Sequence, residues 1–353
     1  MFIGEGLLAN INSCLIPILP SKRVVIVTNP LVRELYGNKI VDLLSNEGIL
    51  TNIIEIPDGE KSKSLKIAEK VYDQLLKFKV DRSTALIALG GGVIGDLGGF
   101  VAATFMRGIP LIHIPTTLLA QIDSSIGGKT AIDHPKAKNI IGSFYQPIAN
   151  IVDTEVLESL PISHLKNGIA EVIKIAIINS SSFFSWIDEN MNNLLSKDKN
   201  SLKFLVSQAA QLKVSIILED PWERHQRYFL NLGHSIGHAM EVIGDYEWIT
   251  HGEAVALGII LETRIAVYKK LCSHEEMQRI ENIFGKLGIL ENIDLTKIKP
   301  LECWNVILLD KKNKDGNIRF VLPEKIGKVR LFQPILKEDV VYAFDSIENI
   351  GGK

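Results

Sequence analysis

The sequence predicts an α/β N-terminal domain, a Rossmann-like doubly wound parallel sheet, followed by a mostly α-helical C-terminal domain. Three observations predict it. Over residues 1–162, short β-branched runs alternate with stretches of helical spacing, the pattern of strands joined by crossover helices. Over residues 163–353, helical periodicity takes over and strand signals nearly vanish. Finally, Gly90-Gly91-Gly92 follows directly on a strand-like run and opens a helical one.

The elements follow in order. Residues 23–28 (RVVIVT) read as a buried strand, and 31–46 as a helix. Residues 51–56 read as a second strand ending in Pro57-Asp58-Gly59, and 66–78 as a helix. Residues 84–89 form a third strand running into the triple glycine, and 111–115 a fourth. In the second half, 170–178, 182–195, 201–217, 234–243, 253–269 and 274–287 have helical spacing, and 319–322 suggests a small hairpin. A cleft between two such domains is where a ligand site is expected.

Bulk properties narrow the function classes. The chain has 353 residues, too many for one compact core. Its net charge of −2 provides no global field for nucleic acid, so any bound anion needs a local group of Lys and Arg. Cys14, Cys272 and Cys303 are scattered, as reduced thiols of a cytoplasmic protein are. The first residues carry an early acid and no basic signal region. Charges and glycines break the apolar stretches before a membrane span's length. The expectation is a soluble cytoplasmic protein with no nucleic-acid or membrane partner.

The glycine turn fits G-x-G-x-x-G through Gly90, Gly92 and Gly95, and Asp96 follows. Small residues let backbone N–H groups approach a pyrophosphate at a helix N-terminus. A tight turn with close helix–sheet packing explains the same glycines equally well. No acid lies about 20 residues on, as the ordinary fingerprint requires. Asp58 and Glu60 stand at the end of the second strand as alternative partners for ribose hydroxyls. Gly128-Lys129-Thr130 is no P-loop, because Asp123 occupies the position of that loop's first glycine.

A second constellation points to a metal. His234 and His238 lie at i, i+4, His251 follows, and Glu171 precedes Lys174 by one turn. Two imidazoles and a carboxylate with one open position make a catalytic zinc site. Spacing leaves two pairs open, His234 with His238 or His234 with His251. Arg107, Lys129, Lys138, Lys174, Lys213, Arg227, Lys311 and Lys312 lie in or near apolar or glycine-rich stretches. Charge placed there is costly unless it is paired or faces a ligand. Any one of them is more simply a salt-bridge partner, and together they suit a substrate with a phosphate and a carboxylate.

These motifs have a family resemblance. GGGVIGDLGGF, ATFMRG, IPTTLLAQIDSSIGGKTAID, KN and FYQP, then GIAEVIK, LNLGHSIGHA, HGEAVALG and DKKN…FVLP, resemble the 3-dehydroquinate synthases, in order and over most of the chain. The resemblance implies that Glu171, His234 and His251 ligate zinc, with cobalt as the other choice. It implies NAD contacts from Asp58, Gly59, Glu60, Lys61, Ser62, Lys63, Gly92, Val93, Ile94, Gly95, Asp96, Thr116, Thr117, Lys129, Lys138, Val156, Leu157, Glu158 and Ser159. It places Lys129, Asn139, His238 and Lys311 on the phosphate side, with Lys312 as the other choice for the last, and Arg107 reaching in from a homodimer partner. Lys213 and Arg227 become a carboxylate clamp, and Asp123, Lys174 and Asn231 hydroxyl partners.

The implied reaction converts 3-deoxy-D-arabino-heptulosonate 7-phosphate into 3-dehydroquinate and phosphate, on the way to chorismate. Zinc holds two vicinal hydroxyls, and NAD removes a hydride. Phosphate leaves by β-elimination, the same NADH returns the hydride, and an intramolecular aldol reaction closes the ring. His238 is the expected proton relay. One departure stands out: His225 replaces a glycine usual before Arg227, a position where positive φ is expected. The alternatives are another sugar phosphate cyclase, a metal-dependent polyol dehydrogenase that releases NADH, and a non-catalytic ligand-binding protein on this fold.

Overall fold

The computed structural model describes every residue except 136, 224, 245–247, 292, 295, 296, 310–317 and 347–353. The chain divides into two compact units, Met1–Pro161 with Leu202–Ala210, and Ile162–Ser201 with Gln211–Lys353.

The first unit is built on a parallel sheet. Its strands are β1 (Phe2–Gly4), β2 (Arg23–Thr28), β3 (Leu50–Glu55), β4 (Ala85–Gly90), β5 (Leu111–Pro115) and β8 (Ala149–Asp153), in the order β1-β8-β5-β4-β2-β3. Every pairing in the sheet is parallel. All residues of β4, β5 and β8 are buried; β4 and β5 are accordingly almost continuous apolar sequences, since a strand covered on both faces has no polar side, while β8 buries the polar Asn150 and Asp153. Alternate residues feed two cores. Val25, Val27, Leu86 and Ala88 pack with Val71 and Leu75 of helix α4 (Leu65–Lys77) and Val101 of α5 (Gly92–Thr104). Val24, Ile26, Ile87 and Leu89 pack with Ile11 and Leu15 of α1 (Ile11–Leu15) and Ile40 and Leu44 of α3 (Asn38–Asn46); α2 (Pro30–Val32) leads into the latter. Helices on both faces make the sheet doubly wound.

Three features of this unit carry no strand signal in the sequence: β1, β8, and a hairpin of β6 (Lys129–His134) with β7 (Ala137–Phe144). The hairpin escapes notice because β7 is largely exposed and holds a glycine, Gly142, whose added Cβ would lie 2.1 Å from the Thr130 carbonyl oxygen.

The second unit is mostly helical: α6 (Ile162–Asn179), α7 (Ser181–Glu189), α8 (Met191–Leu195), α10 (His234–Ile243), α11 (His251–Tyr268), α12 (His274–Leu287), α13 (Pro300–Leu308) and α14 (Lys337–Asp345), with a hairpin of β9 (Phe320–Lys325) and β10 (Lys328–Phe332). Helix α9 (Lys199–Glu219) has residues in both units. The single helix expected over 182–195 is broken at Asn190, and α13 and α14 add to the expected set. α6 buries every residue from 168 to 178 and α11 every one from 254 to 266. Such helices are apolar on most of their circumference because they are enclosed all round, and the charged residues they bury, Glu171 and Lys174 of α6 among them, are exceptions. By length and composition α9 is long and apolar enough to cross a membrane, contrary to the expectation that no stretch reaches that length; half of its apolar window is buried within the protein.

Candidate active site

Two helix starts and one helix middle bring Glu171, His234 and His251 together, and glycines permit it. Gly233 holds φ 78 ahead of α10, a left-handed conformation that suits glycine. A Cβ on Gly258 of α11 would lie 2.0 Å from the Gly233 carbonyl oxygen, and one on Gly237 would lie 2.9 Å from that of Ala254. So α10 and α11 approach backbone to backbone. Gly252 does the same for α11 against α6: its N–H donates to Asn167 Oδ1 at 2.9 Å, and a Cβ would lie 2.5 Å from that residue. Asn167 precedes Glu171 by one helical turn.

As a result Glu171, His234 and His251 each offer a ligand atom within 4.8 Å of the others. Glu171 Oε1 is 3.1 Å from His251 Nε2 and 3.6 Å from His234 Nε2. Ligands at about 2.1 Å from a tetrahedral zinc are about 3.4 Å apart, so these edges fit the ion. The ring orientations agree. His234 Nδ1 is held by the Leu232 carbonyl at 3.1 Å and His251 Nδ1 by Glu241 at 3.2 Å, leaving both Nε2 atoms for the centre. His238 stands apart from this triangle; its Nε2 is 3.9 Å from Glu241 Oε2. Of the two histidine pairs left open by spacing, geometry favours His234 with His251. Glu241 is the residue that the sequence reading missed.

Electrostatics sharpen the site. Glu171 is fully buried and Lys174 nearly so, paired at 2.5 Å. Burial opposes the Glu171 charge, but Lys174 and the His251 hydrogen bond hold the carboxyl down at about 2. Burial, then the Lys174 charge, lowers His234 well below the usual histidine value. Burial would also lower His251, yet its bonds to Glu171 and Glu241 push it up to about 10. A divalent ion held at the same Nε2 would take the place of that proton.

The other cations of this unit split. Lys213 and Arg227 are both buried, at 5% and 2% exposure, and Arg227 Nη1 donates to the Pro221 carbonyl at 2.8 Å. Asn231 Nδ2 lies 3.3 Å from Glu223. The positive φ expected at residue 225 is not there: His225 has φ −139, open to any side chain, and Glu223 takes φ 56 instead. Lys311 and Lys312 lie outside the described residues.

In the first unit, β4 runs into Gly91, which starts α5 with no side chain capping its N-terminal N–H groups. The strand order reverses between β2 and β4, so this turn flanks the switch point where α/β sheets bind ligands. Gly92, Val93 and Gly95 are partly exposed there, whereas Ile94 is buried, and a Cβ on Gly90 would strike its side chain. Asp96 pairs with the buried Lys63 at 2.5 Å, and Lys63 also bonds Asn139. Glu60 pairs with Lys138 at 3.3 Å, and Asp58 accepts from Asn29 at 3.0 Å. Gly59 (φ 91) and Lys61 are exposed and Ser62 is buried, its hydroxyl donating to the Pro57 carbonyl. Thr116 is buried, and Thr117 Oγ1 accepts from the Ala120 N–H. Asp123 is partly buried and Lys129 exposed.

Two expectations change here. Val156 and Leu157 turn their side chains into the core, leaving their backbone with the exposed Glu158 and Ser159 for contact with a ligand. Arg107, read as a charge inside an apolar run, is exposed, because the chain turns at Met106 and Arg107 with φ 52 and 66. The burial cost invoked for it does not arise in the single chain.

The chain is similar to known proteins in both sequence and fold. The families described as "3-dehydroquinate synthase N-terminal" and "3-dehydroquinate synthase C-terminal" match residues 53–167 and 168–313. The chain belongs to the 3-dehydroquinate synthase family. A 3-dehydroquinate synthase of Thermodesulfovibrio yellowstonii is 42% identical over 340 residues, covering 96% of this chain and 94% of that protein. Among solved structures, the 2-epi-5-epi-valiolone synthase ValA of Streptomyces hygroscopicus subsp. jinggangensis, with NAD+ and Zn2+ bound, superposes with TM-score 0.90 at 25% identity, covering 99% of this chain and 97% of ValA. A 2-deoxy-scyllo-inosose synthase with carbaglucose-6-phosphate, NAD+ and Co2+ gives TM-score 0.87 at 26% identity, covering 97% and 95%. The family shares the parallel-sheet and helical architecture found here.

Proposed function

We propose that this chain is a 3-dehydroquinate synthase, converting 3-deoxy-D-arabino-heptulosonate 7-phosphate to 3-dehydroquinate and phosphate with NAD and a divalent metal, zinc or cobalt. The observation that carries the reading is the Glu171–His234–His251 triangle, whose two edges from Glu171 suit a tetrahedral ion, in a chain of this family. The higher identity to a named 3-dehydroquinate synthase than to the valiolone and inosose synthases supports this ring closure over theirs.

When bound, the metal supplies Lewis acidity towards a sugar hydroxyl, and NAD supplies reversible acceptance of a hydride. The residues then divide the work. Glu171, His234 and His251 hold the ion, and the Lys174 ammonium keeps Glu171 ionised within the protein. His238 Nε2 relays the hydroxyl proton. Lys213 and Arg227 clamp the substrate carboxylate, Arg227 through its planar fork. Lys129, Asn139, Lys311 and Arg107 of the partner subunit bind the phosphate, and Asp123, Lys174 and Asn231 orient hydroxyls. The uncapped start of α5, with Asp58 to Lys63, Thr116, Thr117, Lys138 and the 156–159 turn, binds NAD.

The exposure of Arg107 suits a residue that serves a second copy in a homodimer. A cytoplasmic setting, with no nucleic acid or membrane partner, completes the reading. The test is product balance: phosphate release from the heptulosonate phosphate without accumulation of NADH. Accumulation of NADH with a simple polyol instead identifies a dehydrogenase.

A further inference from the structure

Glu241 lies on the last turns of α10, three residues after His238 and seven after His234, and is only 8% exposed. Its two oxygens face two histidines: Oε1 is 3.2 Å from His251 Nδ1, and Oε2 is 3.9 Å from His238 Nε2. The opposite nitrogen of His251 faces Glu171 at 3.1 Å. His251 therefore stands in line between two carboxylates, one at the metal triangle and one behind it. His234 Nδ1 is backed by a neutral carbonyl, that of Leu232 at 3.1 Å.

We propose that Glu241 is a positioning residue of the metal centre: its carboxylate accepts the Nδ1–H of His251, fixes that tautomer, and presents Nε2 as the lone pair for the ion. This rests on the metal reading above. An anionic acceptor behind a ligating imidazole also strengthens its donor nitrogen, which a carbonyl does less. The two histidines thus differ, and His251 is the stronger ligand. A buried carboxylate on a helix interior is otherwise costly, and His251 offsets that cost. His238, Glu241 and His251 are close enough to hold an ion by themselves. Under the proposal they do not, because Glu241 is engaged with the Nδ1–H.

The experiment measures zinc affinity and stoichiometry by competition with a chromophoric chelator, on purified full-length wild type, Glu241→Gln, Glu241→Ala and Glu171→Gln. Melting of the metal-free proteins checks folding, and the near-isosteric Gln variant decides if Ala does not fold. The expected result is one zinc per chain, bound about tenfold more weakly by Glu241→Gln and up to about a hundredfold by Glu241→Ala. The visible absorption of the cobalt-loaded protein shifts in both variants. Wild-type affinity in a folded Glu241 variant overturns the proposal, as does a second zinc in the wild type that these variants lose. If the Glu241 variants match a wild type that binds zinc and Glu171→Gln does not bind it, only the Glu241 role falls. If the wild type binds no zinc, the metal reading falls with it.

Discussion

Glu171 and Lys174 form an ion pair at 2.5 Å with almost no solvent contact, and each depends on the other. Removing Lys174 leaves the buried Glu171 charge with the His251 imidazole as its remaining partner, and removing Glu171 strips the buried Lys174 of its carboxylate; either costs more than the pair contributes. Lys174→Met should therefore destabilise the metal-free protein by about 3–5 kcal/mol in urea unfolding, and a loss under about 1 kcal/mol contradicts this account of the pair. At this scale the sequence was partly legible. Three histidines beside glycines and a lone carboxylate in an apolar run marked the candidate metal site. The i, i+4 spacing could not choose between His238 and His251, because spacing sees neighbours on one helix and the observed triangle draws on α6, α10 and α11. Glu241 gave no signal: its partner lies ten residues on, across a helix break. Arg107 misled, since a turn at positive φ carries it out of the apolar run that surrounds it in sequence.

Elements place these residues through close approaches that only glycine allows. Gly258→Ala would set a Cβ 2.0 Å from a backbone oxygen, so α10 and α11 must separate. The expected outcome is a stability loss of about 1–3 kcal/mol and weaker zinc binding, read from melting curves and chelator competition. An unchanged zinc affinity would show that helix contact does not set the triangle. In the sheet, His113 lies within β5, fully enclosed, and burial lowers its pKa to about 4. Below the ordinary histidine value the unfolded chain takes up a proton that the folded chain refuses. Stability from this group is thus intact above about pH 6.5 and is lost as pH falls through about 4, a change on the order of 3 kcal/mol. His113→Leu should flatten that part of the pH profile in urea unfolding; a profile as steep as the wild type's contradicts it. The strand–helix alternation made β2, β4 and β5 readable because buried parallel strands are largely continuous apolar runs. β7 was unreadable for the opposite reason: it is exposed, and its register rests on pairing with β6.

In the whole molecule each unit should take its own ligand, NAD in the sheet unit and the metal in the helical unit. NAD alone should slow amide hydrogen exchange in the turn from Gly91 to Asp96, and zinc alone should slow it at the start of α10 and α11. Protection by zinc confined to the sheet unit would contradict the assignment. The central claim is that a metal held by Glu171 drives loss of phosphate from a sugar acid. It is tested most directly by phosphate release from 3-deoxy-D-arabino-heptulosonate 7-phosphate, with NAD present, for wild type and Glu171→Gln, each before and after chelation. The wild type should release phosphate, stop on chelation and recover with zinc, while Glu171→Gln stays at least about a hundredfold slower throughout. Chelator-resistant release, or a Glu171→Gln rate equal to the wild type's, would contradict the claim.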